Sequence, residues 1–131
     1  MIIKRLLEHK QIWFGLAISW TVLIFVLCLA KMNDLPSLGV KGMDKYVHFT
    51  FHFVFTVLWA IVVKSRLITI SNKKILSIVL ISLMMGITIE FLQEYFTTTR
   101  KADILDVMAN FTGALSAGIL ISFFENKKII N

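Results

Sequence analysis

The chain has 131 residues, of which 57% are hydrophobic and only 17% charged, with a mean hydropathy of +0.80 and a net charge of +6. Soluble domains are about 45–50% apolar, and here four stretches, Ile12–Ala30, Val47–Val63, Ile75–Leu92 and Ile104–Phe124, hold just two charged side chains, Glu90 and Asp106. Runs of roughly 17–25 apolar residues match a bilayer core, so a soluble enzyme is excluded, and connections of at most 16 residues leave no room for a sizeable domain outside the membrane.

The first stretch follows Lys4, Arg5 and Lys10 and is polar only at Ser19 and Thr21. Its apolar run is longer than the 7–15 residues typical of a signal-peptide core, so it reads as an uncleaved helix. Trp13 near its start fits an interfacial anchor. Cys28 lies within it and has no second cysteine to pair with. The connection Lys31–Tyr46 contains Pro36, Gly39 and Gly42 and is expected to be irregular. Asp44, Lys45, His48 and His52 then lead into the second stretch. Asp44 is placed either to cap that helix or to join a polar site.

A short basic loop with Lys64, Arg66, Lys73 and Lys74 precedes the third stretch, and Ser71 is placed to cap it. Glu90 lies in the last turn, followed by Gln93, Glu94 and a turn containing Thr97, Thr98 and Thr99. The fourth stretch opens with Asp103, Asp106 and Asn110 and continues through Gly113, Ala114, Ser116, Ala117 and Gly118. Asp103 with Asp106 three residues on resembles a capping box. Small residues four apart let membrane helices approach closely, and tight packing within the chain is the expectation here.

The predicted fold is an all-α integral membrane protein: four transmembrane helices at about 12–30, 47–63, 75–92 and 104–124, packed as one compact bundle, with 1–131 a single domain. A basic chain of pI about 9.7 suggests nucleic acid in a soluble protein. Here nine of the fourteen basic residues fall on the side shared by both termini and the second loop, and five on the other. The positive-inside rule therefore places both termini in the cytoplasm, and no nucleic-acid partner is expected. Membrane lipids are.

Alternation of antiparallel helices brings the start of the second helix, the end of the third and the start of the fourth to one side of the membrane. At 1.5 Å per residue, Glu90 and Asp106 lie about 3 Å inside their helix ends, and His52 and Asn110 about 8–9 Å. Asp44, His48 and His52 form an i, i+4 stripe, while Asp103, Asp106, Asn110, Ala114 and Ala117 fall within about 80° of one another on the fourth helix. Polar groups from three helices thus share one outward layer. Intramembrane ionisable groups are expected to pair and to mark function.

The candidates for acid/base chemistry are His48, Glu90 and Asp106, since His–carboxylate pairs suit proton transfer near neutral pH. No cofactor or bound metal is expected. His-Phe-Thr-Phe-His lacks the glutamate of the zinc-protease signature, and His48, His52 and Glu90 are the residues that would carry a metal were one bound. No nucleophile elbow, phosphate loop or nucleotide fingerprint is present.

The run Asp44-Lys45-Tyr46-Val47-His48-Phe49, then Glu90-Phe91-Leu92-Gln93, then Arg100-Lys101-Ala102-Asp103-Ile104-Leu105-Asp106 with Asn110 and Gly113, resembles the VanZ-like family of small bacterial membrane proteins. The resemblance covers about Met43 to Gly118. It implies a four-helix membrane domain of the bacterial inner membrane and a link to resistance to teicoplanin, a lipoglycopeptide that binds peptidoglycan precursors. His52 and Glu94 stand outside the family's pattern.

The reading that follows is a pocket of Asp44, Lys45, His48, Glu90, Gln93, Arg100, Asp103, Asp106 and Asn110 that binds a lipid headgroup or a lipid-linked envelope precursor. In it Lys45 and Arg100 are anion ligands and the acids are acceptors. Two alternatives stand beside it: a membrane hydrolase or transferase acting on a lipid-linked substrate, and a non-catalytic adaptor. The oligomeric state is not legible.

Overall fold

The computed structural model describes residues 4–5, 8–30, 42–97 and 101–130. They form four long helices: α1 (Lys10–Leu29), α2 (Met43–Arg66), α3 (Asn72–Phe96) and α4 (Ile104–Ile130). Each contains a stretch long and apolar enough to cross a membrane, and no strand occurs among the described residues. The helices outrun the apolar stretches that announce them. Hydropathy registers only the part that lies in hydrocarbon, whereas backbone hydrogen bonding continues into the polar boundary.

One such extension matters for the site. α2 begins at Met43, with Gly42 as N-cap at φ 80, a left-handed conformation that glycine adopts without a Cβ clash. Asp44 is therefore not the cap, one of the two roles the sequence leaves open to it. It lies in the first turn, where its carboxylate accepts from Lys45 at 2.9 Å. Ser71 does cap α3, accepting the Lys74 N–H at 3.4 Å.

α2 and α4 share the most extensive interface, and glycine is the reason they approach so closely. A Cβ on Gly113 would lie 2.2 Å from the Phe49 carbonyl oxygen of α2. On the α3 side, a Cβ on Gly118 would meet Val79 Cγ2 at 2.9 Å. Ala114 and Ala117, between these contacts, are completely buried. The small-residue stripe of α4 is thus spent on packing within the chain. At the end of the bundle away from the His48 cluster, Lys64 of α2 forms a largely buried ion pair with Glu125 of α4.

α1 leans on α2 and α3 through specific polar contacts. Trp20 Nε1 donates to the Phe51 carbonyl at 3.0 Å, Trp59 Nε1 to Thr21 Oγ1 at 3.2 Å, and Gln93 Nε2 to the Cys28 carbonyl at 2.6 Å. Ile24, Cys28, Phe55 and Ile89 form the apolar cluster beneath them. The outer faces carry exposed apolar side chains such as Val26, Met84, Phe91 and Ile119. In water such faces mark interfaces or aggregation; on membrane-spanning helices they face lipid.

Candidate functional site

The polar residues of three helices meet at one end of the bundle. α2 contributes Asp44, Lys45 and His48 from its first two turns; α3 contributes Glu90; α4 contributes Asp106, Asn110 and, just before its start, Asp103. His48, Glu90, Asp106 and Asn110 are buried, at 4%, 2%, 5% and 1% exposure. Groups of this kind are costly at membrane depth unless paired.

Lys45 is the hub of the outer part. Its ammonium contacts Asp44 at 2.9 Å, Asp103 at 2.7 Å and Asp106 at 2.5 Å. An ammonium has three protons to donate, and these carboxylates engage all of them. The role of anion ligand read from the sequence therefore does not suit Lys45 as it stands here. It ties the start of α2 to the start of α4. The Lys45 ammonium, aided by the Leu105 N–H, also holds the Asp103 carboxyl below its ordinary value of 3.8.

Deeper, Asp106 bridges two partners, with Oδ1 on Lys45 and Oδ2 3.5 Å from His48 Nε2. The other ring nitrogen of His48, Nδ1, lies 3.0 Å from Asn110 Oδ1. An amide oxygen only accepts, so this contact is a hydrogen bond in the forms of His48 that carry a proton on Nδ1. Asn110 Nδ2 has no hydrogen-bond partner among the described residues. It sits over Gly86, where a Cβ would approach it to 2.7 Å.

Asp103 caps α4 as expected, with Oδ1 accepting the Leu105 N–H at 2.8 Å. The second half of the capping box fails. Asp106 turns away to Lys45 and His48, and the Asp103 N–H donates instead to Glu90 Oε2 at 3.1 Å, across from α3. His48, Glu90 and Asp106 each offer a ligand atom within 4.8 Å of the other two, as do Asp44, Asp103 and Asp106.

Two of the expected residues are placed differently. Gln93 is buried, but its amide serves the C-terminal end of α1 through the Cys28 carbonyl, one of the carbonyls a helix end leaves without an internal partner. His52 Nδ1 meets Ser82 Oγ at 2.7 Å, a pair enclosed between α2 and α3, and does not join the groups around Asp106. Arg100 lies outside the described residues. Sequence reading missed Ser82 and Gly86. Both fall on one i, i+4 stripe with Glu90, a signal that was available once Glu90 was taken to face inward.

The family model described as VanZ/LLP1 matches residues 4–125. The chain belongs to that family. No curated protein and no solved structure matches it.

Proposed function

We propose that this VanZ-family chain is a multi-pass protein of the bacterial inner membrane whose polar end faces outward and binds the headgroup of a membrane lipid or of a lipid-linked envelope precursor. Both termini are then cytoplasmic, in keeping with nine basic residues on their side against five on the other. The link to teicoplanin response follows from the same ligand class, since the drug's target is such a precursor.

The observation that carries this reading is the convergence of His48, Glu90, Asp106 and Asn110 from three separate helices into one buried layer at one end of the bundle. Four buried polar side chains from three helices at one level are more than helix fastening calls for, since hydrogen bonds between membrane helices add only about 0.6 kcal/mol on average. With Lys45 saturated, the described residues present mainly acceptors, which suit hydroxyl or amine groups of a headgroup.

Teicoplanin susceptibility of cells carrying the wild-type chain, His48→Ala, Glu90→Gln or Asp106→Asn tests it, with membrane insertion of each variant checked by protease protection. The variants are expected to lose the wild-type effect on susceptibility while inserting normally. Unchanged susceptibility for all three correctly inserted variants overturns the reading.

A further inference from the structure

The relation between His48 and Asp106 is not that of a hydrogen-bonded pair. Their Nε2 and Oδ2 atoms stand 3.5 Å apart, beyond the 2.7–3.2 Å common for N–H···O bonds. On its other side His48 Nδ1 lies 3.0 Å from Asn110 Oδ1, an oxygen that accepts from an Nδ1 proton. In the neutral tautomer that donates from Nδ1, the Nε2 lone pair faces the Asp106 carboxylate, and this is the form of imidazole that a metal ion takes. The spacing of Nε2 and Oδ2 is close to the edge of a metal tetrahedron, about 3.3 Å for ligands held 2.0–2.1 Å from zinc.

We infer that His48 Nε2, with one carboxylate oxygen each from Glu90 and Asp106, forms a binding site for a divalent transition-metal ion of zinc type. This rests on the reading of this end of the bundle as a ligand site and names the cation that serves it. The ligand atoms lie within 4.8 Å of one another, and all three residues are buried. An imidazole in the set favours zinc-like ions over magnesium or calcium, which take oxygen.

Asn110 is the independent mark of such a site. A metal-binding histidine almost always donates its second ring N–H to a fixed acceptor, which sets the tautomer and the ring orientation, and Asn110 Oδ1 does this for His48. The same side chain, 1% exposed, holds a buried Nδ2 with no partner among the described residues, a donor for an oxygen on a further ligand. Lys45 occupies Asp106 Oδ1 and leaves Oδ2 turned to His48, so the ion and the ammonium use different oxygens of one carboxylate. The chemical consequence concerns the ligand. An acidic pocket repels a phosphate, whereas a bound divalent ion turns the same pocket into a phosphate receptor. The headgroup class that follows is a phosphate or pyrophosphate ester.

The test uses the full chain, purified in phospholipid-free detergent with an affinity tag that contains no histidine. The chain is stripped with chelator, dialysed against ZnCl2 and analysed for metal by mass spectrometry, with affinity measured by competition against a chromophoric chelator. One zinc per chain is expected. His48→Ala, Glu90→Gln and Asp106→Asn should each bind at least 100-fold more weakly, and Asn110→Ala about 10–100-fold more weakly. His9→Ala and His52→Ala should bind as the wild type does. Far-UV circular dichroism verifies that each variant keeps its helix content, and Glu90→Gln and Asp106→Asn preserve side-chain volume. Zinc bound equally by wild type and His48→Ala, or no stoichiometric zinc on the wild type, overturns the inference. Because no lipid is present, that failure leaves headgroup binding standing, to be judged by drug susceptibility.

Discussion

Glu90 of α3 accepts the backbone N–H of Asp103 at 3.1 Å, so an acid on one helix completes the N-terminal cap of the next. Within a single helix this position belongs to the residue three places after the cap. Here that residue is Asp106, which serves Lys45 and His48. The exchange frees Asp106 for the cluster and fixes the end of α3 against the start of α4.

Glu90 should therefore be sensitive to loss of its acceptor more than to loss of its charge. Glu90→Ala leaves a partly buried N–H behind and is expected to cost about 1 kcal/mol, the low end of the range for an unsatisfied buried group, measured as loss of thermal stability in detergent. Glu90→Gln keeps an oxygen there and should retain most of the stability. Equal losses for the two would refute the cap.

Lys45 holds three acids together, and Lys45→Met removes their shared donor. Hydrogen bonds to charged groups contribute about 1.5–3 kcal/mol, and a loss in that range is expected from the Asp106 contact. In a double-mutant cycle, Lys45→Met and Asp106→Asn should combine less than additively. Additive losses would mean that the pair does not interact.

Asp103 gives the pH dependence. Its carboxyl is held below the ordinary 3.8 by the Lys45 ammonium. A depressed folded value means that the unfolded chain takes up its proton first as pH falls. The stabilisation is thus complete above about pH 5 and is lost as pH drops through the lowered value. Thermal melts of wild type and Asp103→Asn between pH 3 and 6 should differ at the upper end and converge at the lower. Because Asp103 is partly exposed, solvent screening keeps the difference small.

Glycine substitutions separate close approach from mere helix content. Gly113→Ala drives a methyl group against the Phe49 carbonyl, 2.2 Å away, where neither backbone can yield cheaply. Overpacking of this kind costs about 1–3 kcal/mol or more. Gly15→Ala meets nothing within 4 Å and should be neutral or stabilising by up to about 1 kcal/mol. Melting temperatures of the two variants check the contrast.

Much of this end of the molecule was legible before any coordinates. The apolar runs placed four helices, and antiparallel alternation alone brought His48, Glu90 and Asp106 to the same side. The angular clustering of Asp103, Asp106 and Asn110 with Ala114 and Ala117 pointed inward, and Asp106 and Asn110 are buried, whereas Asp103 stays partly exposed. What escaped was pairing that depends on the path between helices. That Glu90 reaches the Asp103 amide, or that Gln93 reaches back to Cys28, follows from how the helix ends abut, which no periodicity encodes. The caps divided likewise: Ser71 and Asp103 act locally, whereas Asp44 yielded to Gly42, whose left-handed φ starts the helix earlier. For Lys45 the charge was visible in the sequence and its engagement by three carboxylates was not.

The central claim, that the polar end of the bundle is a ligand site, is tested most directly by native mass spectrometry of the chain extracted from its own membranes in mild detergent. The account predicts a retained lipid or lipid-linked adduct on the wild type, lost from folded His48→Ala and Asp106→Asn and kept in His52→Ala. Identical adduct patterns for wild type, His48→Ala and Asp106→Asn would contradict it.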